Sequence, residues 1–350
     1  MLYIALRALG PEKPKLVETN VFGQLLDYAN QDDVDMRLFV SFTSGMQAFS
    51  RTRVRLGPPD PSLDTVVFNP QPSEAFTKDE AQRIEFRKNL GVGEDEFLAV
   101  RIGRPGPKWE PWECEAFQEA RRKNAKLRLF LMEPKDSIQR DISAGKYGDG
   151  IIVKPATADP DYLLSVYSAA DLMLQASSWG ESFGYTLAEG MAAGMPLITL
   201  STPWGDQAQT ELVKHGETGY VCRSVKGMAL ALIELSTNPE KSAAFGAAGR
   251  ERIHTITSLE HEGDLLEQIY QNLITGNPSS LMDERFSDWT KFIESKSKQT
   301  SPECYEADLG LTFILVRSSI YDAFRKLKHV VKYVIMKSKG FPVYPLKWKQ

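Results

Sequence analysis

Two short apolar runs on either side of a glycine-rich segment constrain the fold of this chain more than any other feature. The runs Leu172–Ala176 and Leu197–Leu200 are short enough to be buried parallel strands. The segment between them fits a helix packed closely on a sheet, and Pro196 stops this helix before the second run. The helix residues that carry this pattern are Leu187, Gly190, Met191 and Gly194. A strand, a helix and a strand in this order predict a parallel sheet covered by helices.

The same alternation extends along most of the chain. Strand-like segments at 15–22, 35–42 and 64–69 precede a proline-containing joint at residues 70–76. A second and longer alternation starts with the strand Phe97–Ile102. Strands that alternate with helices of about ten residues are typical of a doubly wound α/β fold.

These segments divide the chain into three predicted regions. Residues 1–70 form a partial N-terminal Rossmann-like domain, residues 71–275 form a complete doubly wound domain, and residues 276–350 form a linker and a basic helical tail. No Gly-x-Gly-x-x-Gly follows a first strand, which disfavours a dinucleotide-dependent dehydrogenase.

The composition excludes several protein classes. Of the 350 residues, 42% are hydrophobic, and no stretch approaches the roughly 20 apolar residues of a membrane-spanning helix. The first residues form too short an apolar run for a signal peptide. The three cysteines lie far apart, and the four histidines show no zinc-binding spacing. We therefore expect a reducing cytoplasm, no disulfide framework and no metal site.

Two carboxylates flank the turn after the first apolar run. Glu181 lies in the loop at the carboxyl end of the predicted strand, and Glu189 lies about two turns later on the helix that follows. The backbone N–H groups of Phe183, Gly184 and Tyr185 fall at or near the first helical turn, where unpaired donors attract anions. One loop thus combines anion-binding amides with two carboxylates that accept hydrogen bonds. This combination suits a phosphorylated, polyhydroxylated ligand.

A second polar loop follows the strand Phe97–Ile102. Its sequence from residue 103 is Gly-Arg-Pro-Gly-Pro-Lys, which holds Arg104 and Lys108 on a rigid segment. In a parallel sheet this loop lies at the same edge as Glu181, where ligands bind. A diphosphate held by amides on one side would attract cations on the other, so both cations are predicted phosphate ligands. Arg101 is a further candidate, and the sequence leaves open which arginine meets the phosphate.

Together these motifs resemble those of a known enzyme family. The run from Glu181 to Pro196 reads Glu-Ser-Phe-Gly-Tyr-Thr-Leu-Ala-Glu-Gly-Met-Ala-Ala-Gly-Met-Pro. It resembles the signature of the retaining GT-B glycosyltransferases of family 4 (glycosyl transferases group 1), in which seven residues separate two glutamates as they do here. The segments Tyr167–Asp171 and Glu211–Val221 are similar to the same family before and after this signature. The resemblance is good over residues 64–275 and implies a GT-B fold.

The resemblance also implies roles for the charged residues of these loops. Glu189 would bind the ribose hydroxyls of a nucleotide-diphosphate sugar, and Glu181 would bind a hydroxyl of its sugar. Arg104 and Lys108 would bind the diphosphate. The donor-binding positions implied beside Glu189 are Ser182, Phe183, Gly184, Tyr185 and Pro155, the last of them in the loop that passes the nucleotide base.

The implied function is transfer of a hexosyl group from this donor to a glycan or lipid-linked acceptor, with retention of anomeric configuration. Retention in the family is generally attributed to front-face attack, in which a donor phosphate oxygen takes the acceptor's proton. Such chemistry depends on positioning and electrostatic stabilisation more than on a side-chain nucleophile. We therefore expect no metal and no cofactor besides the donor substrate. The alternative is a nucleotide-sugar-binding module with weak or no catalysis, which an assay of donor hydrolysis or transfer would distinguish.

The first domain is shorter than the resemblance implies. About seventy residues precede the joint, with three strand candidates and without the opening strands and glycine-rich loop of the family. The segment Lys15–Gly23 resembles a strand from the middle of such a domain. The chain thus looks as if it starts halfway through its first domain. We expect an open edge or face on the first sheet unless the tail or another chain covers it, and donor binding with poor transfer.

Basic residues are concentrated at the end of the chain. Residues 317–350 hold nine lysines and arginines and one acid, whereas the whole chain has a formal net charge of −4. The acidic remainder argues against nucleic-acid binding. In the tail, Leu327, Val331, Val334 and Ile335 share a helical face with lysines around it. This pattern is typical either of a helix at a membrane surface or of a helix packed on the short first domain, and the apolar surface left there favours packing.

Overall fold

Parallel strands form two separate sheets in the computed structural model, which describes residues 9–10, 13–23, 33–56, 59–104, 106, 108–202, 205–276 and 279–298. The strands are β1 (Val17–Asn20), β2 (Met36–Phe39), β3 (Asp64–Val66), β4 (Phe97–Arg101), β5 (Leu127–Met132), β6 (Ile151–Lys154), β7 (Leu172–Gln175), β8 (Leu197–Leu200) and β9 (Gly219–Cys222). Every pair of neighbouring strands is parallel. The predicted α/β class is confirmed.

The larger sheet has the strand order β6-β5-β4-β7-β8-β9. The chain enters at β4, winds outward to β6, and then crosses to β7 on the other side of β4. Residues of β7 and β8 are all buried, as expected where helices cover both faces of a parallel sheet. The direction of winding changes between β4 and β7, which is the position where doubly wound sheets bind ligands.

Helices connect and cover these strands. They are α1 (Phe42–Leu56), α2 (Glu80–Leu90), α3 (Trp112–Arg121), α4 (Asp136–Ser143), α5 (Pro160–Ala169), α6 (Tyr185–Ala192), α7 (Gln209–Leu212), α8 (Val225–Thr237), α9 (Pro239–Ile256), α10 (Leu259–Thr275) and α11 (Ser280–Lys298). Several begin at a side-chain cap from the preceding residue: Asp79 for α2, Ser224 for α8 and Ser258 for α10. Proline at the first position, where its missing N–H costs nothing, favours the starts of α5 and α9.

The smaller sheet has the order β1-β2-β3, and its central strand β2 is completely buried. Arg37 on β2 forms a buried ion pair with Asp64 on β3, in which Nη2 donates to Oδ2 at 2.8 Å. Within the described ranges, no strand pairs with the outer edge of β1. Exposed Phe22 follows this strand directly.

Helix α1 follows β2, in a region for which the sequence analysis predicted strands and no helix. Its first turn carries a reciprocal cap: Ser41 Oγ accepts from the N–H of Ser44 at 3.0 Å, and Ser44 Oγ accepts from the N–H of Ser41 at 3.1 Å. The N–H groups of Phe42 and Thr43 donate to the carboxylate of Glu211, which lies on α7. Half of this helix start is thus capped from a distant part of the chain, which a local pattern does not reveal.

Helices α10 and α11 return to the smaller sheet and cover one of its faces. Met36 and Leu38 of β2 pack with Leu265, Ile269 and Met282 of these helices. The segment 280–298, assigned from the sequence to the linker and tail, is therefore a structural part of the first sheet's core.

A buried ion pair and an aromatic cluster fix these returning helices. Glu262 of α10 pairs with Arg285 of α11 and also accepts from the N–H of Phe68 at 2.8 Å, just after β3. Trp289 contacts the ring of Phe39, with centroids 5.7 Å apart. The expected open face of the first sheet is closed by these two helices.

Three strands of the larger sheet agree closely with the sequence analysis: β4 and β7 each end one residue before their predicted ends, and β8 matches its predicted bounds. None of the described helices has both the length and the apolar composition that crossing a membrane requires. The predicted amphipathic tail, at residues 317–350, lies outside the described residues.

Candidate functional site

The two predicted ligand loops meet at the switch point of the larger sheet. Residues 102–108 follow β4, and residues 176–184 follow β7, which is hydrogen-bonded to β4. The N–H of Ser178 donates to the carbonyl of Lys108 at 3.1 Å, so the loops touch along their backbones. The strand order thus brings together two motifs that lie about 75 residues apart in the chain.

Lys108 and Glu181 form an ion pair in this site. Lys108 Nζ lies 3.0 Å from Glu181 Oε2 and donates to the carbonyl of Gly180 at 3.3 Å. The lysine side chain is 45% exposed and the glutamate side chain 16% exposed. Both charges are accessible from the open edge of the sheet. The residue predicted to bind the diphosphate and the residue predicted to bind the sugar therefore form an ion pair with one another.

Arg104 is exposed on the loop after β4. Its backbone carbonyl accepts a hydrogen bond at 2.9 Å from the indole Nε1 of Trp109, which is buried. Among the described residues its guanidinium has no hydrogen-bond or ion-pair partner. Arg104 thus carries an accessible cation on an anchored backbone.

Arg101, the other arginine considered from the sequence, is buried and fully engaged. It pairs with the carboxylate of Glu113, donates from Nη2 to the carbonyl of Ala176 at 2.8 Å, and stacks on Trp109 with its guanidinium carbon 3.5 Å from the ring centroid. Burial raises the pKa of Glu113, although the adjacent guanidinium opposes this shift. Arg101 ties the two loops together from within, which leaves Arg104 as the phosphate candidate.

Glu189 is the fifth residue of α6. Its Oε2 accepts a hydrogen bond from the hydroxyl of buried Tyr167 on α5. Burial raises the pKa of the Glu189 carboxyl, and the tyrosine hydrogen bond acts in the opposite direction. No sequence pattern pointed to Tyr167 as a partner, although it stands in the family-like segment before β7.

The turn between the glutamates is shaped by close backbone packing. Gly180 has a φ of +69°, and a Cβ there would lie 1.6 Å from the carbonyl oxygen of Asp206. The N–H of Glu181 donates to Gln209 Oε1 at 3.0 Å, and the N–H of Ala208 donates to the carbonyl of Glu181 at 2.8 Å. Gln209 thus holds the backbone of Glu181 in place, a role that the sequence analysis did not predict.

The predicted anion-binding amides lie at the N-terminus of α6. Gly184 is its N-cap in the left-handed region, with a φ of 97° and no side chain that could cap the helix. The half-buried Ser182 precedes buried Phe183, and the ring of exposed Tyr185 lies 5.2 Å from the ring of Phe183. The first helical N–H groups therefore receive no side-chain cap, and they directly follow the loop that carries Glu181.

Pro155 lies at the carboxyl ends of the strands, as the other predicted site residues do, but it follows the outermost strand of the sheet. It is exposed and follows β6, which is three strands away from β7, a separation of about 14 Å. The next N–H, of Ala156, donates to Glu133 Oε2 at 2.9 Å, and Glu133 has a left-handed backbone with a φ of 46°. Pro155 thus lies at one end of this edge, and the glutamate loop lies near its middle.

In the described part of the chain, no three His, Cys, Asp or Glu side chains are grouped so that they could hold a metal ion. Cys114 and Cys222 are buried and unpaired, and burial raises the pKa of the Cys222 thiol to about 12. The prediction of metal independence stays a prediction.

Comparisons with known proteins agree with this geometry. The family Glycosyl transferases group 1 matches residues 82–252, which span β4 to β9 and all the loops described above. The chain is 33% identical over 116 residues to N-acetyl-alpha-D-glucosaminyl L-malate synthase of Bacillus anthracis, a match that covers 33% of this chain and 29% of that protein. It is 29% identical over 209 residues to D-inositol 3-phosphate glycosyltransferase of Rhodococcus jostii, covering 54% of this chain and 43% of that protein.

Solved structures are similar over a larger share of the chain. Anabaena Alr3699/HepE, solved with UDP, aligns with a TM-score of 0.62 at 15% identity and covers 77% of this chain and 76% of that one. A glycosyltransferase from Rickettsia africae aligns with a TM-score of 0.64 at 13% identity and covers 79% and 74%. The protein thus has a GT-B fold, and its residues 82–252 are similar to the glycosyl transferases group 1 family. The chain spans less than half the length of the curated relatives named above.

Proposed function

We propose that the protein is a retaining hexosyltransferase that takes its sugar from a nucleotide-diphosphate donor, as a member of family 4. One observation carries this proposal. At the switch point of the sheet, Lys108 and Glu181 meet at 3.0 Å, with exposed Arg104 on the same loop as the lysine and Glu189 on the helix that leaves the glutamate loop. This edge of the sheet carries two cations suited to a diphosphate and two carboxylates suited to hydroxyl groups, which supports the proposal.

In this proposal the two glutamates recognise different parts of the donor. Glu189 accepts hydrogen bonds from the ribose hydroxyls, because it is half-buried and has one carboxylate oxygen fixed by Tyr167. Glu181 accepts from a hydroxyl of the transferred sugar, since it lies in the loop that precedes the helix. Pro155 lies beside the base.

The diphosphate binds Arg104, Lys108 and the first amides of α6, from residues 182–185. Lys108 exchanges its bond to Glu181 for a phosphate oxygen when the donor enters. An exposed ion pair contributes about 0–1 kcal/mol, whereas a hydrogen bond between charged groups contributes about 1.5–3 kcal/mol. The exchange therefore favours the bound donor and frees Glu181 for the sugar.

The chemical step forms a bond between an acceptor hydroxyl oxygen and the anomeric carbon while the bond from that carbon to the diphosphate breaks. The hydroxyl proton passes to a donor phosphate oxygen on the same face, which retains the configuration. The protein's contribution is to position both substrates and to stabilise the charge on the leaving diphosphate with Arg104, Lys108 and the helix amides. No metal or further cofactor takes part in the proposed reaction.

The acceptor is proposed to be a glycan or a lipid-linked glycan, and the protein to act in the cytoplasm. The basic tail would either contact a membrane surface or pack on the first sheet. Co-sedimentation with anionic vesicles at low and at physiological salt distinguishes the two: salt-sensitive binding favours the membrane, and its absence favours packing.

A second candidate is a nucleotide-sugar-binding module with little transfer activity. It is favoured by the small size of the first sheet, which has three strands in the described part of the chain, whereas the larger sheet has six. With less protein over the donor, water would enter the site and weaken its electrostatic interactions.

Calorimetry followed by a turnover assay tests both candidates. UDP-, GDP- and ADP-sugars are titrated first, and UDP-sugars head the panel because a similar fold was solved with UDP and glucose. Release of free sugar, or of nucleotide with added acceptors, is then measured. Turnover with the donor's anomeric configuration retained supports the transferase, and binding without turnover supports the module. Failure to bind any donor would refute both.

A further inference from the structure

A completely buried tyrosine reaches the proposed ribose ligand from a neighbouring helix. Tyr167 lies on α5 and donates a hydrogen bond from its hydroxyl to Oε2 of Glu189 on α6. Its ring packs edge-on against Phe76, with centroids 5.8 Å apart and ring planes at 82°. A hydroxyl is costly to bury without a partner, and Glu189 is the partner that this hydroxyl has.

The backbone that carries Tyr167 is held firmly by α2. Arg83 and Arg87 both donate to the carbonyl of Ala169, at 3.0 and 2.9 Å. The same two guanidinium groups pair with Asp171 at 2.7 and 3.1 Å. This network fixes the end of α5 and the entry into β7. The tyrosine hydroxyl is therefore presented to Glu189 from a rigid support.

The two oxygens of the Glu189 carboxylate have different surroundings. Oε2 is occupied by the tyrosine, whereas Oε1 has no hydrogen-bond partner among the described residues. The side chain is half-buried, so its charge is only partly solvated. A hydrogen-bond donor that satisfies one carboxylate oxygen fixes the orientation of the carboxylate. It also leaves the other oxygen available to a ligand.

We propose that Tyr167 is a positioning residue of the donor site: it orients the Glu189 carboxylate so that Oε1 accepts from the ribose hydroxyls of the nucleotide. The inference rests on the proposed function, because it needs Glu189 to bind ribose. It adds a residue that does not touch the donor and acts through Glu189.

The test compares nucleotides with and without the ribose hydroxyls. Tyr167→Phe removes only the hydroxyl and keeps the ring against Phe76. UDP, GDP and ADP, and their 2′,3′-dideoxy forms, are titrated by calorimetry into wild type and variant. The variant is expected to bind the nucleoside diphosphate about three- to tenfold more weakly and the dideoxy form with unchanged affinity. A merely structural role would change both affinities equally.

Two controls make the comparison specific. Tyr147 follows α4, is buried, and donates a hydrogen bond from its hydroxyl to Asp141 at 3.2 Å. Tyr147→Phe removes this hydroxyl and should leave all nucleotide affinities unchanged. In a Glu189→Gln background, Tyr167→Phe should have little further effect, since coupled residues are not additive.

Each outcome decides the inference. A loss confined to nucleotides with the ribose hydroxyls supports it. An equal loss for both forms, or no loss for either, overturns it. If Glu189→Gln itself leaves nucleotide binding intact, the ribose assignment in the proposed function fails as well. If Glu189→Gln weakens binding and Tyr167→Phe does not, the inference alone fails.

Discussion

The six-stranded sheet and the three-stranded sheet differ in where their polar groups find partners. Around the six-stranded sheet, helices begin at side chains that are adjacent in sequence, such as Asp79 and Ser224. The three-stranded sheet and α1 depend instead on Glu211, Glu262 and Arg285. Their partners in the chain lie 169, 194 and 219 residues away, respectively.

This difference has consequences for both stability and function. The helices and strands of the larger sheet can form from local sequence signals. This sheet and its loops also carry every residue that is proposed to bind the nucleotide sugar. The smaller sheet is completed by α10, α11 and Glu211, so its order depends on contacts made late along the chain. Substitutions at those contacts should damage the smaller sheet first and leave the donor site in place.

The largest effect is expected for Glu262→Ala. This change leaves Arg285 buried without its ion-pair partner and leaves the N–H of Phe68 without an acceptor. The free energy of unfolding should fall by about 3–5 kcal/mol, as for other broken buried pairs. Urea denaturation measures this. Glu260→Ala, at an exposed acid on the same helix, is the matched control, and an equal small loss for both variants would contradict the importance of the pair.

A smaller and more local effect is expected for Glu211→Ala. The variant removes the charged acceptor for the N–H groups of Phe42 and Thr43, at a cost of about 2 kcal/mol. Hydrogen exchange should then become faster in α1 while β7 and β8 stay protected. Glu217→Ala, an exposed acid a few residues later, serves as the control. Equal deprotection of both sheets would show that they are not stabilised separately.

On the donor side, Lys108→Ala tests the proposed exchange of partners. It removes a phosphate ligand but also frees Glu181, and the charged phosphate bond outweighs the exposed ion pair. Donor affinity should fall about tenfold, or about 1.4 kcal/mol. Lys126→Ala, at an exposed lysine paired with Asp95, should leave affinity unchanged. Unchanged or tighter donor binding by Lys108→Ala would place the diphosphate elsewhere.

The smallest effect concerns pH. Burial raises the pKa of Glu189, so its carboxylate should become protonated at a higher pH than an ordinary glutamate. Tyr167 and Tyr185 face it and stay neutral, because burial raises the pKa of both hydroxyls. Nucleotide affinity should therefore be constant at neutral pH and fall as the pH drops through the Glu189 pKa. Glu189→Gln should remove this component of the pH profile, and an identical profile in both proteins would argue against it.

The sequence predicted the regular part of the larger sheet well because its signals are local. The short apolar runs predicted β7 and β8 close to their observed bounds, and the Pro196 stop predicted that a helix ends between them. The same reasoning placed the loops of Lys108 and Glu181 at one edge, since parallel strands share their carboxyl ends. It did not predict their ion pair, which depends on side-chain orientation.

Other features depend on contacts between distant residues. Arg101 and Arg104 look alike as cations near a strand end, and only the packing of Trp109 and Glu113 separates them. The Ser41–Ser44 cap joins residues three positions apart, whereas the second cap of α1 comes from the distant Glu211. Likewise, α11 shows a helical spacing of apolar residues, but its place on the first sheet follows from the Glu262–Arg285 pair.

The central claim is that the edge of the larger sheet between β4 and β7 binds a nucleotide sugar through Glu189. Calorimetry of Glu189→Ala against wild type, with UDP-, GDP- and ADP-sugars, tests it most directly. The best donor should bind about ten- to a hundredfold more weakly to the variant, a loss of about 1.5–3 kcal/mol, because a charged acceptor for the ribose hydroxyls is gone. Equal affinity of wild type and variant for that donor would contradict the claim.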